Sequence, residues 1–268
     1  FRKIESIKFE INLINYILKR KFPTVFPMKG KNNKCINYYK DIPYVFFDFI
    51  KGEHISNPTQ KQFESIIKAA GLLNNMTKNY NPKYREYRWN YNPEFCRNLA
   101  KKKADEAGSE NAKKKYRWMT GELEKLNLPP NLPRGICHCD FHYSNIFFDG
   151  NRFVALIDFD DANYTYLTYD LVSLMNPFLP ELSWKTWKKF GREENVLVFD
   201  ECRDIIQEYL KYRPMSSFEM GHIFDVYKLS ILIDCLWYFR RGTAEDFFEK
   251  RKIDALNNLG REKFFGNL

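Results

Sequence analysis

Long apolar runs are missing from this 268-residue sequence. No stretch approaches the roughly 20 residues that a helix needs to cross a bilayer. No leader pattern is expected either, and the cytoplasm is the expected compartment. The six cysteines (Cys35, Cys96, Cys137, Cys139, Cys202 and Cys235) are scattered and make no disulfide framework. Only Cys137 and Cys139 lie close together, and no second Cys/His cluster follows them. With His138 between them they would point to opposite sides of a strand, which argues against a tetrahedral zinc site. Internal repeats are absent, and so is any recognisable nucleic-acid-binding module. The net charge of +9 favours a polyanionic partner. The lysine runs at 101–103 and 113–115 are interleaved with Asp105, Glu106 and Glu110, the pattern of a solvated helix face. Neither a nucleic-acid partner nor a membrane partner is therefore expected, and the sequence does not set an oligomeric state.

A substantial core is present. Hydrophobic residues make up 44% of the chain, with 24 Phe and 17 Tyr. Ile4, Ile7, Ile11, Ile14 and Leu18 recur at helical spacing, predicting a helix over residues 4–20 that Pro23 and Pro27 end. Residues 35–39 and 44–50 read as strands. Thr59 is placed to cap a helix running to about Lys78. Residues 97–126 read as helix, with Gly108-Ser109 as a break, and Pro129, Pro130 and Pro133 mark a boundary. A short strand over 135–138 precedes a hairpin, 145–148 and 153–157, around Asp149-Gly150-Asn151. From Tyr166 onward the pattern is helical, over 169–175, 195–212, 217–240 and 244–259. Strands first, then helices with one embedded hairpin, predict an α+β fold with a joint near Gly52.

The chemistry gathers in Gly135-Ile-Cys-His-Cys-Asp-Phe-His-Tyr-Ser-Asn-Ile-Phe-Phe-Asp149 and in Leu156-Ile-Asp-Phe-Asp-Asp161. Phosphoryl transfer to a hydroxyl needs a carboxylate to orient the hydroxyl and take its proton. It also needs hard oxygen ligands for magnesium on the phosphates. Asp140 and Asn145 on one loop, facing Asp158 at the end of a neighbouring strand, meet both needs. Asp140 is the expected base, and Asn145 and Asp158 are the expected metal ligands. Taken singly, Asp and Asn are ordinary turn formers; it is their joint spacing that favours catalysis. Asp160 and Asp161 could equally be a solvated loop end.

His138-x-Asp140-x-His142-x-x-Asn145, followed by Ile157-Asp158-Phe159-Asp160, resembles the catalytic loop and metal-binding Asp of the aminoglycoside-phosphotransferase/choline-kinase superfamily. Tyr169-Asp170-Leu171 resembles the element that follows them there. Among its branches the type II homoserine kinases are most similar, through Leu132-Pro-Arg-Gly135, Leu156-Ile-Asp-Phe159, Ala162, Val45 to Gly52, and Pro58-Thr59.

The resemblance implies a protein-kinase-like bilobal fold. Residues 1–51 would be the remainder of a nucleotide-binding lobe, and residues 52–268 a larger catalytic and acceptor-binding lobe. It implies ATP and Mg2+ as cofactors and a small hydroxyl-bearing molecule as acceptor. It implies a hinge in which Phe47, Asp48 and Phe49 meet adenine, and a Glu10 that pairs with a lysine on an upstream strand. His138, His142, Asp160 and Asp170 would be supporting residues, with His138 and Asp170 bracing the loop. The chain opens at Phe1, already within a helical pattern, and upstream strands carrying that lysine and a phosphate-covering loop are expected. Two departures stand out. Asp160 occupies the place of a glycine in protein kinases, and Met76-Thr77 that of a Leu-His pair in many relatives. A non-catalytic binding module on the same fold is the alternative reading.

Overall fold

The computed structural model describes residues 3–175 and 197–268. In chain order the helices and strands are α1 (Ile4–Leu18), β1 (Pro27–Met28), β2 (Ile36–Tyr39), β3 (Ile42–Phe47), α2 (Gln60–Thr77), α3 (Pro93–Ala107), α4 (Glu110–Glu124), β4 (Arg134–Cys137), β5 (Ile146–Asp149), β6 (Arg152–Leu156), β7 (Asn163–Tyr166), α5 (Tyr169–Met175), α6 (Phe199–Leu210), α7 (Ser217–Met220), α8 (Ile223–Trp237) and α9 (Phe248–Asn267). The class is α+β. No described helix is long and apolar enough to cross a membrane.

The chain divides into two compact units. The first comprises Phe1–Asn90, Arg134–Asp170 and Glu208–Arg213, so the expected joint at Gly52 lies within it. It opens with α1, whose buried face differs from the expected stripe. Phe9, Leu13, Ile14 and Ile17 are buried, while Ile4, Ile7 and Leu18 are only half covered. The bulkier Phe9, wholly buried, takes the centre of the face and sets the helix rotation.

β1, β3 and β2 form an antiparallel sheet in the order β1-β3-β2. Lys40 and Asp41, both at positive φ (47° and 63°), make the two-residue turn between β2 and β3. β3 stops three residues short of its expected end. Asp48 leaves the ladder because its carboxylate accepts the Phe26 N–H at 2.5 Å while its own N–H donates to the Phe26 carbonyl at 3.0 Å.

Gly52 then brings the backbone against β5. A Cβ there would stand 2.9 Å from the Phe148 carbonyl, and the adjacent Glu53 exchanges both backbone hydrogen bonds with Phe148. α2 begins as expected with a capping box between Thr59 and Gln62 and packs on β4 and β6. β5 and β6 form the expected hairpin around Gly150. β4 pairs with β7, a strand absent from the expectation, with Cys137 opposite Asn163 and Arg134 opposite Tyr166.

The second unit comprises Tyr91–Pro133, Leu171–Gln207 and Pro214–Leu268. Gly108, at φ 63°, and the Ser109 cap split the expected single helix into α3 and α4. α8 is buried almost all round and packs against α3, α4 and α9. Gly221 and His222 separate α7 from α8 within the expected 217–240 helix. The last helix starts four residues later than expected, at Phe248. The expected start of the 195–212 helix lies outside the described residues.

Candidate active site

The site is built from three adjoining pieces of the first unit: the loop after β4, the turn after β6, and the start of α5. Asp170, fully buried at the start of α5, organises the loop. Its Oδ2 accepts the His138 N–H at 3.0 Å, and its Oδ1 accepts the Cys139 N–H at 2.9 Å. Asn74 of α2 adds a third donor at 2.7 Å and in turn accepts the Tyr209 hydroxyl at 2.7 Å. A buried carboxylate needs such partners. Cys139 sits at φ 65°, a sharp corner that these bonds hold in place.

His138 braces the same loop from inside. Its Nε2–H donates to the Ile157 carbonyl at 2.9 Å, and its Nδ1 accepts the Asp140 N–H at 3.3 Å, which fixes the tautomer. Phe141 and Phe159 meet its ring edge-on at 5.2 and 4.8 Å. With both nitrogens engaged, the His138 ring is fixed within the loop.

Thr77, at the end of α2, ties that helix to β4. Its hydroxyl donates to the Ile136 carbonyl at 2.6 Å, fixing β4 to α2. Gly135 makes that closeness possible, since a Cβ there would lie 2.6 Å from Leu167 Cδ2 and 3.1 Å from the Thr77 carbonyl.

Asp140, half-buried, follows at the loop's tip. The Asn145 side-chain nitrogen donates to its Oδ2 at 2.7 Å and to its backbone carbonyl at 3.1 Å. That orientation keeps the amide oxygen of Asn145 as an acceptor. The Asn145 carbonyl accepts the Ile157 N–H at 2.8 Å, which ties the loop to the end of β6. His142 accepts the Ser144 N–H at 3.2 Å and so caps the short 3-10 turn Tyr143–Asn145.

Asp158 comes next after Ile157, exposed and at φ 61°. Its Oδ1 accepts the Asp160 N–H at 3.3 Å. Burial, and then repulsion from Asp140, Asp160 and Asp158, raises the Asp161 carboxyl to about 6, with Arg88 opposing. That shift records how closely four carboxylates are gathered. Asp161, which with Asp160 could equally be a solvated loop end, thus stands close to Asp140 and Asp158. Arg88 carried no sequence signal at all. Its Nε donates to the Ala162 carbonyl at 3.0 Å, and its terminal nitrogens reach the Asp160 carbonyl and the Ser6 hydroxyl.

The thiols of Cys137 and Cys139 are engaged with their neighbours. Cys137 Sγ donates to the Tyr166 carbonyl at 3.3 Å, and Cys139 Sγ accepts from Asn163 at 3.3 Å. Burial raises both thiols well above their ordinary range. Among the described residues no three His, Cys, Asp or Glu side chains are arranged to hold a metal. An amide oxygen and a carboxylate, from Asn145 and Asp158, are instead the hard donors that suit magnesium shared with phosphate.

The other expected nucleotide-side residues lie elsewhere in this unit. Phe49 is 93% exposed, Phe47 ends β3, and Asp48 is engaged with Phe26. Glu10 is half-buried on α1, one turn from Ser6 and so on the side that meets Arg88.

Residues 2–193 match the model of the phosphotransferase enzyme family. The chain belongs to that family. It is similar to a homoserine kinase of Rhodospirillum rubrum, 26% identical over 255 residues that cover 94% of this chain and 71% of the relative. The fold is that of an amicoumacin kinase solved with AMP-PNP, Ca2+ and Ami (TM-score 0.62, 14% identity, 98% of this chain and 79% of the other). It is also that of a microcompartment-associated aminopropanol kinase (TM-score 0.60, 14% identity, 99% and 83%). This phosphotransferase is accordingly a small-molecule kinase with a hydroxyl as acceptor.

Proposed function

We propose that this phosphotransferase moves the γ-phosphate of ATP, with Mg2+, to the hydroxyl of a small amino acid, with homoserine as the leading acceptor. The reading is carried by the 2.7 Å contact that joins Asn145 to Asp140 on a loop beside Asp158. The homoserine kinase likeness over 94% of the chain supports the acceptor. The six free cysteines suit the reducing cytoplasm, where ATP is also found.

Asp140 receives the hydroxyl hydrogen bond and takes the proton as the acceptor oxygen bonds to the γ-phosphorus and the bond to ADP breaks. The Asn145 amide oxygen and the Asp158 carboxylate would hold the cation, which when bound would neutralise charge on the phosphate oxygens. His138 and Asp170 keep the loop rigid, so that Asp140 is in place before the substrate arrives. The adenine would rest against residues 47–49, and Glu10 would stand on the phosphate side of α1.

The test is magnesium-dependent ADP release with homoserine, choline, ethanolamine, sugars and aminoglycosides as acceptors. Stimulation by homoserine supports the full reading, and stimulation by another acceptor replaces only the substrate. Asp140→Ala should abolish transfer while nucleotide still binds, and Asp158→Ala should weaken binding of the metal nucleotide. Near-normal turnover in both variants would sink the mechanism.

A further inference from the structure

Arg88 lies in no part of the catalytic pattern, yet it makes several contacts at the acidic turn. Its Nε donates to the Ala162 carbonyl at 3.0 Å, and one terminal nitrogen reaches the Asp160 carbonyl. The other terminal nitrogen donates to the Ser6 hydroxyl at 2.5 Å, and the guanidinium lies 5.1 Å from the centre of the Phe9 ring. One side chain therefore grips the turn that carries Asp158 and, at the same time, the buried face of α1.

Arg88 is itself held in place. It follows the 3-10 turn Arg85–Tyr87 in extended conformation, and its N–H donates to the Arg85 carbonyl. Asn90 clips the segment at both ends: its side-chain nitrogen donates to the Arg85 carbonyl at 3.0 Å, and its side-chain oxygen accepts the Tyr164 N–H of β7 at 3.2 Å. The Arg85 guanidinium stacks 4.2 Å from the Tyr164 ring. The segment is fastened to the strand that follows the acidic turn, so the fork of Arg88 is set before any ligand binds.

The turn needs such a hold. Asp158 is a non-glycine residue at φ 61°, a conformation that persists only when its surroundings enforce it. Asp158, Asp160 and Asp161 crowd this turn with acids, and Arg88 brings a cation against its backbone at Asp160 and Ala162.

We propose that Arg88 is a positioning residue for phosphoryl transfer, whose guanidinium fork locks the Asp158–Ala162 turn to α1 and keeps the Asp158 carboxylate presented to the cation. The proposal rests on the kinase reading above. It also ties Glu10, one turn along α1 from Ser6, to the same element, so helix and metal-binding turn move together. Lysine cannot substitute, because a single ammonium point cannot serve two carbonyls and a hydroxyl in a planar fork.

The test compares wild-type protein with Arg88→Ala, Arg88→Lys and Ser6→Ala. Mn2+ binding in the presence of AMP-PNP is followed by electron paramagnetic resonance, and turnover is followed against Mg2+ and against acceptor. Removing a group that orients a metal ligand weakens metal affinity by about 10- to 100-fold. Arg88→Ala should show that loss in Mn2+ affinity and a matching rise in the Mg2+ needed for half-maximal rate, with the acceptor KM unchanged. Arg88→Lys should recover little of it, and Ser6→Ala should show a smaller loss in the same direction. Added guanidinium should restore part of the Arg88→Ala loss, because a cavity of about 560 Å3, lined by Ser6, Tyr87, Trp89 and Asp160, opens beside the side chain.

Unchanged Mn2+ affinity in Arg88→Ala, with activity falling only as the folded fraction falls, would overturn the proposal. If Arg88→Ala fails to fold, wild-type Mn2+ affinity in both Arg88→Lys and Ser6→Ala overturns it equally. Wild-type protein that binds no Mn2+ with nucleotide would overturn the kinase reading itself, a result separate from wild-type binding that Arg88→Ala leaves intact.

Discussion

The side-chain nitrogen of Asn145 donates to the Asp140 carboxylate across 2.7 Å, and the same nitrogen reaches the Asp140 backbone carbonyl at 3.1 Å. In the proposed mechanism one residue thus orients the base and would offer its amide oxygen to the cation. Asn145→Ala removes both functions together. The variant should lose about 10²- to 10⁴-fold in kcat, the range for a misplaced acid–base group, and should need more Mg2+ for half-maximal rate. A kcat loss without any change in Mg2+ dependence would leave Asn145 as an orienting group alone.

Asp170 and Asn74 form the next testable pair. The Asp170 carboxylate takes the His138 and Cys139 N–H groups and Asn74 Nδ2, and Tyr209 closes the chain onto Asn74. Asn74→Leu removes one of the three donors to the buried Asp170 carboxylate and the 2.7 Å acceptor of the Tyr209 hydroxyl, which keeps a 3.4 Å contact with the Leu167 carbonyl. A hydrogen bond to a charged group contributes about 1.5–3 kcal/mol. A chain of this size loses about 2–4 °C of Tm per kcal/mol. The variant should therefore melt several degrees lower. Asp170→Asn should melt lower still, since its amide nitrogen would point at a backbone N–H. A Tm equal to wild type in both variants would show that the network does not carry the loop.

The sequence made the acid–amide pattern legible because its residues are local. Asp140, Asn145 and Asp158 lie on one loop and the hairpin beside it, and the strands around them carry ordinary apolar runs. The Thr59 cap and the break at Gly108 are equally visible, since both are set by neighbours in the chain. β7 was not. Asn163-Tyr-Thr-Tyr166 is four residues long and mixes polar with aromatic residues, and only its pairing with β4, almost thirty residues earlier, makes it a strand. Asn74, Tyr209 and Arg88 escaped for the same reason. Asn74 reads as an ordinary helical position, and its partner Asp170 is 96 residues away. Arg88 reads as one more basic residue in a proline-interrupted segment, and its contacts lie 72 to 82 residues away in both directions.

The gathering of acids predicts a pH signature. Asp161 rises from 3.8 to about 6 in the folded chain, through burial first and then through the three neighbouring carboxylates. A carboxyl raised in the folded state favours folding most below its unfolded pKa, and that contribution is lost as pH climbs through the folded value. Asp161→Asn removes the titration. With a chelator present, the Tm of the variant relative to wild type should be higher at about pH 7.5, above the window between 3.8 and about 6, than at about pH 4, at its lower end. A difference that stays constant across that range would mean that Asp161 is not under the strain of its neighbours.

The second unit holds a buried ion pair whose worth can be separated from its chemistry. Lys228 Nζ lies 2.6 Å from Glu122 Oε2, with the two side chains only 3% and 7% exposed. Asn257 links them, accepting from Lys228 at 2.8 Å and donating to Glu122 at 3.1 Å. Burial works against the Glu122 charge, but hydrogen bonds from Lys125, Lys228 and Asn257 outweigh it and hold the carboxyl below its ordinary value. Removing Lys228 takes the buried cation from Glu122 and leaves it Asn257 and Lys125, whose side chain is 60% exposed. Lys228→Met should cost up to about 3–5 kcal/mol, whereas replacing both members with apolar residues of similar size often costs little. The double variant Lys228→Met with Glu122→Leu should therefore be more stable than Lys228→Met by itself. Urea unfolding of the two single variants and the double variant gives the coupling energy. A double variant whose loss equals the sum of the single losses would show that the pair contributes nothing beyond its separate contacts.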